Sequence, residues 1–337
     1  VYDYDQQSAE LRFSGAAPAP FGFGELEFLV GGLVFESNTF VDLSAVAGPD
    51  LDDYLLTDAA FELLTGSPPP GGIGFQTLTE VANELGVTLP PGFAPLAGEG
   101  LGFFFDQDLS SQAVFGRAAW HFLDHWTVSF GARFTHEKKA ARMRSSCFGA
   151  GILCSAFGVT AFDIEEERSE TDFSPKVTLE YRPWDDLMLF AARSQGFKSG
   201  GFNNFNFTPD DVEVEPEKAV NWEVGAKGRL FDGSLAYGVT LFHMDVDDIQ
   251  VQILRGTLLV VKNAASARTR GVELDGEWLT PWEPLRIRGA AAFTDARFVD
   301  FPDAPAPATS EADTQDLSGR RMPYTPKTQV SVTPTFR

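Results

Sequence analysis

The chain has 337 residues, 43% of them apolar, and carries 26 Lys and Arg against 48 Asp and Glu, a net charge of −22. That apolar content excludes wholesale disorder, and the acidity argues against nucleic acid, whose phosphates require a basic face. The 31 Phe, 6 Trp, 6 Tyr and 32 Gly favour strands and tight turns over helices. No run of about 18 uncharged apolar residues occurs, which excludes a transmembrane helix. It does not exclude a membrane barrel, whose strands are about 10 residues long and half polar. The opening VYDYDQQSAELRF lacks the basic-then-apolar segment of a signal peptide, so the chain is expected to be either processed or a fragment.

Taken in order, residues 6–15 and 25–36 read as a first hairpin, with Leu26, Phe28, Val30 and Val34 on one side and the breaker-rich APAPFGFG as its connection. From 37 to 107 the period-2 pattern lapses, which predicts a long loop. Inside it Phe75, Leu78, Thr79, Ala82 and Leu85 fall at helical spacing, with Gly86 placed to cap a short amphipathic helix. Strand pattern returns at Ser110 and crosses a turn near Asp124. There Trp126, Val128, Phe130, Ala132 and Phe134 alternate with Thr127, Ser129, Gly131 and Arg133. A second loop, 140–165, holds Cys147 and Cys154 in a Gly/Ser-rich setting that suits a local disulfide in an oxidising compartment. A metal pair is disfavoured, because no further Cys or nearby His completes a tetrahedral set.

The stretch 174–202 then gives strand, turn at Pro183-Trp184, strand and a glycine-rich exit. The same layout recurs at 221–244 around Asp232-Gly233 and at 271–293 around Pro281-Trp282. Turn centres near 184, 232 and 282 are about 50 residues apart, as expected for equal hairpins in an antiparallel up-and-down barrel. A last loop is predicted over 300–322. Aromatics gather near the turns: Trp120, Trp126, Tyr181, Trp184, Trp278 and Trp282 resemble the interfacial girdle of a membrane barrel, although plugs at the end of a soluble barrel would also use them. The opposite strand faces carry Asn221, Glu223, Lys227 and Arg229, then Glu273, Asp275 and Glu277, then Arg286 and Arg288. Such charges are prohibitive in a dry core and acceptable along a wet lumen or on the outside of a soluble sandwich.

Enzymatic signals are weak. His121 and His125 straddle a turn and do not share a helical face, His136 and His243 are isolated, and Gly22 and Gly24 lack the rest of a dinucleotide loop. Neither a resident cofactor nor a metal site is expected.

FSPKVTLEYRPWDDLMLF with SQGFKSGGFN, EPEKAVNWEVGAKGRLFDGSLAYGVTLFHMDVDDIQVQ, and NAASARTRGVELDGEW closely resemble the barrel of TonB-dependent outer-membrane receptors. FDQDLSSQAVFGRAAWHFLDHWTVSFGARFTHEKK is similar to that family as well. The resemblance implies an all-β transmembrane barrel with long extracellular loops and short periplasmic turns. The family barrel has about 22 strands and encloses a plug, and its TonB box engages the TonB–ExbB–ExbD energy-transducing complex. About 12 or 13 strands are countable here, with no plug-like segment and no TonB box before Val1, so residues 1–337 are expected to be part of a receptor barrel.

The implied activity is import of a scarce ligand, foremost a ferric siderophore. A passive porin-like channel and a soluble glycan-binding β-sandwich are the alternatives. With turns at the periplasmic side, Arg193, Lys198, Asn203 and Asn204 border the lumen or its outer mouth, where the cations suit an anionic iron chelate and Phe202 offers apolar contact. The same Gly-Phe-Lys-Ser-Gly-Gly-Phe segment reads equally as a structural strand exit.

Overall fold

The computed structural model describes residues 1–19, 22–48, 98–151, 154–155, 158–203, 208–210, 212–255, 258–306, 310, 312 and 314–336. The first half contains β1 (Tyr2–Pro18), β2 (Glu25–Val46), β3 (Gly100–Phe122), β4 (Trp126–Phe148), β5 (Phe162–Trp184) and β6 (Leu187–Lys198). Two short strands follow, β7 (Gly201–Phe202) and β8 (Glu213–Val214), and then β9 (Glu217–Leu230), β10 (Leu235–Arg255), β11 (Leu258–Leu279) and β12 (Leu285–Asp300). A second short pair, β13 (Ala304–Pro305) and β14 (Thr314–Gln315), precedes β15 (Thr328–Phe336).

Eleven strands form one antiparallel meander in the order β1-β2-β3-β4-β5-β6-β9-β10-β11-β12-β15, while β7-β8 and β13-β14 are separate ribbons. These eleven are the main-sheet strands among the described residues, beside the 12 or 13 expected for the chain. Each predicted hairpin is present, with its turn where the breakers lie: at Leu123–His125, Asp185–Asp186, Phe231–Ser234 and Thr280–Pro284. The turns are tight enough to force left-handed backbone on residues that resist it. Leu123 and Asp124 have φ of 50° and 52°, and Phe231 and Asp232 have 55° and 53°. At the β1–β2 turn, Gly24 (φ +83°) approaches the carbonyl of His121 so closely that a Cβ would lie 2.0 Å from its oxygen, which only glycine avoids.

The loop boundaries need correction. β2 continues to Val46 and β3 starts at Gly100, so 37–107 is strand at both ends; likewise only 149–161 of the expected 140–165 loop separates β4 from β5. The reason is physical. Beyond the apolar band both faces of a strand meet water, so hydrophobic alternation vanishes while the backbone ladder continues, as between Asn38 and Asp108 or Asp106 and Arg142. The helix expected near 75–85 lies outside the described residues. Cys147 and Cys154 form the expected disulfide, Cα atoms 5.9 Å apart, joining the tip of β4 to the β4–β5 connection.

Alternation within each strand separates two environments. On the outward face Phe130 and Phe134 of β4, Val177 of β5, Trp222 and Val224 of β9, Leu241 of β10, Phe293 of β12, and Val330 and Val332 of β15 are all 43% exposed or more. Among the described residues no large side chain is fully buried, and the single main sheet has no second sheet packed over it, which removes the sandwich alternative. So much bare apolar surface at one height is what hydrocarbon requires. The concave face carries the ionic residues: Glu223, Lys227, Glu273, Arg286 and Arg288 all fall on it by register.

Candidate functional site

The site is the concave wall together with the ribbon that crosses its upper end. Low on the wall, β3–β6 and β9–β11 enclose a depression of about 490 Å³ lined by Arg117, Lys176 and Lys227 against Glu180, Glu223 and Glu273. Phe190 lies over Gly225, where a Cβ would come within 2.6 Å of its ring, and the Lys227 ammonium sits 5.6 Å above the same ring. Nearer the turns, Glu277 of β11 accepts from Arg288 Nε at 2.9 Å and forms an ion pair with Arg286 Nε at 3.0 Å. Opposite charges thus alternate along a water-facing wall, giving a polar surface without strong net repulsion.

Above this wall the β6–β9 connection folds inward. Its apolar side enters a small cluster, Phe202 and Val212 packing with Val41, Phe105, Met143 and Ile164. Its polar side is held by two buried cations. Lys139 of β4 donates to Ser199 Oγ and to the Gly200 carbonyl, with Glu137 at 3.6 Å and Glu170 at 3.9 Å. Burial pulls the Lys139 pKa below the usual lysine value, against the opposing pull of Glu137 and Glu170. Arg168 of β5 donates to the Val214 carbonyl at 2.9 Å and reaches Glu213 and Glu215 at 3.4 Å each. Gly200 is obligatory here, since a Cβ would meet Arg168 Nη2 at 2.4 Å and the Val214 oxygen at 2.3 Å.

The far side of the ribbon is fastened to β10 and β11. Asn203 accepts from Val261 N at 2.8 Å and donates to Val261 O at 2.9 Å; Gln250 Nε2 donates to the carbonyls of Ser199 and Glu215 at 2.9 Å each. Asn263 pairs with the Glu215 backbone on both sides at 2.7 Å. The connection therefore bridges the mouth between β4–β5 and β10–β11.

The sequence-predicted ligand residues divide. Lys198, the last residue of β6, is on the concave side, 58% exposed, and 3.7 Å from Glu217. Phe202 is committed to the apolar cluster and Asn203 to Val261. Asn204 lies outside the described residues. Arg193 is a correction: it pairs in register with Val177 and Trp222, so it projects from the outward face, its guanidinium 5.5 Å from the Trp222 ring. A side-chain period of two makes the five positions from Arg193 to Lys198 enough to put them on opposite faces. Lys139, Arg168, Gln250 and Asn263 were not singled out from sequence; the available signal was a strand ladder running past the apolar band.

The aromatic positions gather at the turn end. Trp126 stacks on Tyr181 with centroids 4.3 Å apart, Trp120 lies 5.3 Å from Phe23 and 4.8 Å from Phe122, and Trp282 lies 5.7 Å from Phe336. Trp184 and Trp278 are 61% and 41% exposed. This is the distribution expected at a membrane interface.

Comparison with protein-family models matches residues 2–337 to the family "TonB dependent receptor-like, beta-barrel". The pesticin receptor of Yersinia pestis is 23% identical over 167 residues, which are 49% of this chain and 23% of that protein. Among solved structures, the ferric yersiniabactin uptake receptor FyuA from Yersinia pestis superimposes with a TM-score of 0.66 at 16% identity, over 99% of this chain and 40% of that one. The siderophore receptor PiuA from Acinetobacter baumannii gives 0.65 at 15% identity, over 99% and 44%. The chain thus spans less than half the length of the proteins it is compared with. With its outward apolar face, ionic concave wall and whole-length family match, the chain belongs to the TonB-dependent receptor β-barrel family and is an outer-membrane protein.

Proposed function

We propose that this chain forms part of the wall and mouth of an importer that takes up a ferric siderophore at the expense of energy delivered through TonB. The observation that carries the reading is the pairing of a hydrocarbon-facing outer surface with an ionic inner wall spanned by a tethered ribbon. That arrangement suits selective capture at the mouth more than free diffusion. The resemblance to FyuA and PiuA, described as receptors for ferric yersiniabactin and for a siderophore, supports the same ligand class. The alternating charges of the wall fit a plug domain whose surface exchanges ion pairs with Arg117, Lys176 and Lys227, and energy would enter through contact of that plug region with the TonB–ExbB–ExbD complex.

Lys198 is an exposed cation on the concave side at the ribbon root, and an anionic chelate would compete with Glu217 for it. The test is uptake of radioactive iron, presented as siderophore complexes, by cells with and without the intact gene. Deletion should abolish uptake of at least one complex, and an uncoupler should do the same in wild-type cells. Uptake persisting after uncoupling would establish a passive channel instead. Lys198→Ala should weaken ligand binding by severalfold while leaving assembly intact; unchanged affinity removes Lys198 from the ligand site.

A further inference from the structure

The sheet is irregular at one level of β10. The β9–β10 ladder ends at Lys218–Asp247, and just above it the β10–β11 register slips twice, between Val246 and Ile249 and between Ile249 and Gln250, with Asp248 at φ 55°. An extra residue bends a strand and turns the backbone groups that follow it away from their ladder partners. Here Gln250 N–H, past the end of the β9 ladder, donates to Glu217 Oε2 at 2.9 Å. Asn263 closes the bulge from β11, donating to the Asp248 carbonyl at 2.7 Å.

The same bulge fastens both ends of the β6–β9 connection. Gln250 Nε2 donates to the carbonyls of Ser199, at its start, and Glu215, near its end, while Asn263 brackets the Glu215 backbone. Glu217 Oε2 has a second partner. Lys198 Nζ stands 3.7 Å from it, the two residues being cross-strand neighbours at the top of β6 and β9. The acid is the sheltered member of that pair, 23% exposed against 58% for the lysine, and its bond from a main-chain donor fixes it further. One carboxylate oxygen therefore touches both the bulge that clasps the connection and the exposed cation beside it.

We propose that Glu217 is a positioning residue of the mouth: it locks the clasped connection through Gln250 and decides which anions can take Lys198. This deepens the import reading and rests on it for the nature of the occupant, an anionic iron chelate. A single carboxylate that took Lys198 would exchange one ion pair for another of the same kind, with no net gain. An occupant with several converging oxygens gains contacts that Glu217 cannot match. Glu217 keeps its bond from Gln250 N–H when Lys198 turns to such an occupant, so the clasp survives binding.

Two measurements on the full-length receptor in detergent test the two halves of the assignment. In amide exchange, Glu217→Ala should accelerate Ser199–Asn203 and Glu213–Glu215 about tenfold, whereas Glu217→Gln, whose amide oxygen still accepts from Gln250 N–H, should stay within about twofold of wild type. In the second, acylation of the Lys198 amine is followed by mass spectrometry while citrate or acetate is added. Citrate should protect Lys198 and acetate, at equal carboxylate concentration, should not; in Glu217→Gln the citrate midpoint should fall about threefold, because the competing charge is gone. A merely structural role would leave that midpoint unmoved, since the glutamine keeps the clasp. Unaltered exchange in Glu217→Ala, equal citrate midpoints, equal protection by acetate, or no protection by citrate overturns the assignment. Should Glu217→Ala fail to assemble, Gln250→Ala takes its place: it should accelerate exchange of the same segments about tenfold, and unchanged exchange overturns the clasp. Neither measurement depends on uptake, so uptake that persists after uncoupling, which removes the import reading, is a separate result.

Discussion

Lys139 illustrates how much of the mouth depends on single side chains. Its ammonium is enclosed with Glu137 and Glu170 and holds the first residues of the β6–β9 connection, Ser199 and Gly200. Lys139→Met removes the cation while leaving two carboxylates facing each other, a change of the kind that costs about 3 kcal/mol at a largely buried site. The ribbon should open locally, and amide exchange at Gly200–Asn203 should accelerate by on the order of 100-fold with the lower barrel unchanged. Unaltered exchange would show that Arg168 and Gln250 suffice. At the opposite end, Asp124 adopts φ 52° at the β3–β4 turn. Glycine tolerates that conformation without the Cβ clash, so Asp124→Gly should stabilise the barrel by up to about 1 kcal/mol in urea unfolding. A loss of stability there would mean that the Asp side chain contributes more than its backbone costs.

At the level of the strand, neighbouring residues on one element face two solvents. Val177, midway along the apolar stretch of β5, is 43% exposed on the outward side, whereas Thr178 lines the concave depression. Val177→Arg should therefore cost about 2–4 kcal/mol in a lipid vesicle, and Thr178→Arg less than about 1 kcal/mol, measured by reversible unfolding in the same bilayer. Equal costs would contradict the assignment of faces. The same alternation explains which site residues were legible. Glu223, Lys227 and Glu273 could be assigned to the inner wall because they share strands with strongly apolar neighbours. Arg193 could not be placed from its neighbourhood, since Arg193, Ser194 and Gln195 run together without an apolar alternation to mark the face. Register with Val177 and Trp222 resolves it.

For the whole molecule, the outward band has no protein covering among the described residues, and β1 and β15 are the two margins of the eleven-stranded sheet. Exposed apolar area of this extent must be met by lipid or detergent. Detergent removal should drive association of the chain, followed by light scattering; a compact monomer in plain buffer would contradict the membrane assignment. The β-barrel architecture, the turn positions, the gathering of aromatics near the turns and the Cys147–Cys154 pair were determined by the sequence alone, because period-2 alternation, breakers and short-range spacing are local properties written residue by residue. The inward fold of the β6–β9 connection, the Lys139 and Arg168 tethers, Asn203's commitment to Val261 and the outward placement of Arg193 were decided only in the tertiary structure. Each depends on which strands lie side by side and in what register, and contacts such as Lys139 to Gly200 or Asn203 to Val261, some 60 residues apart, leave no mark in local hydrophobic pattern.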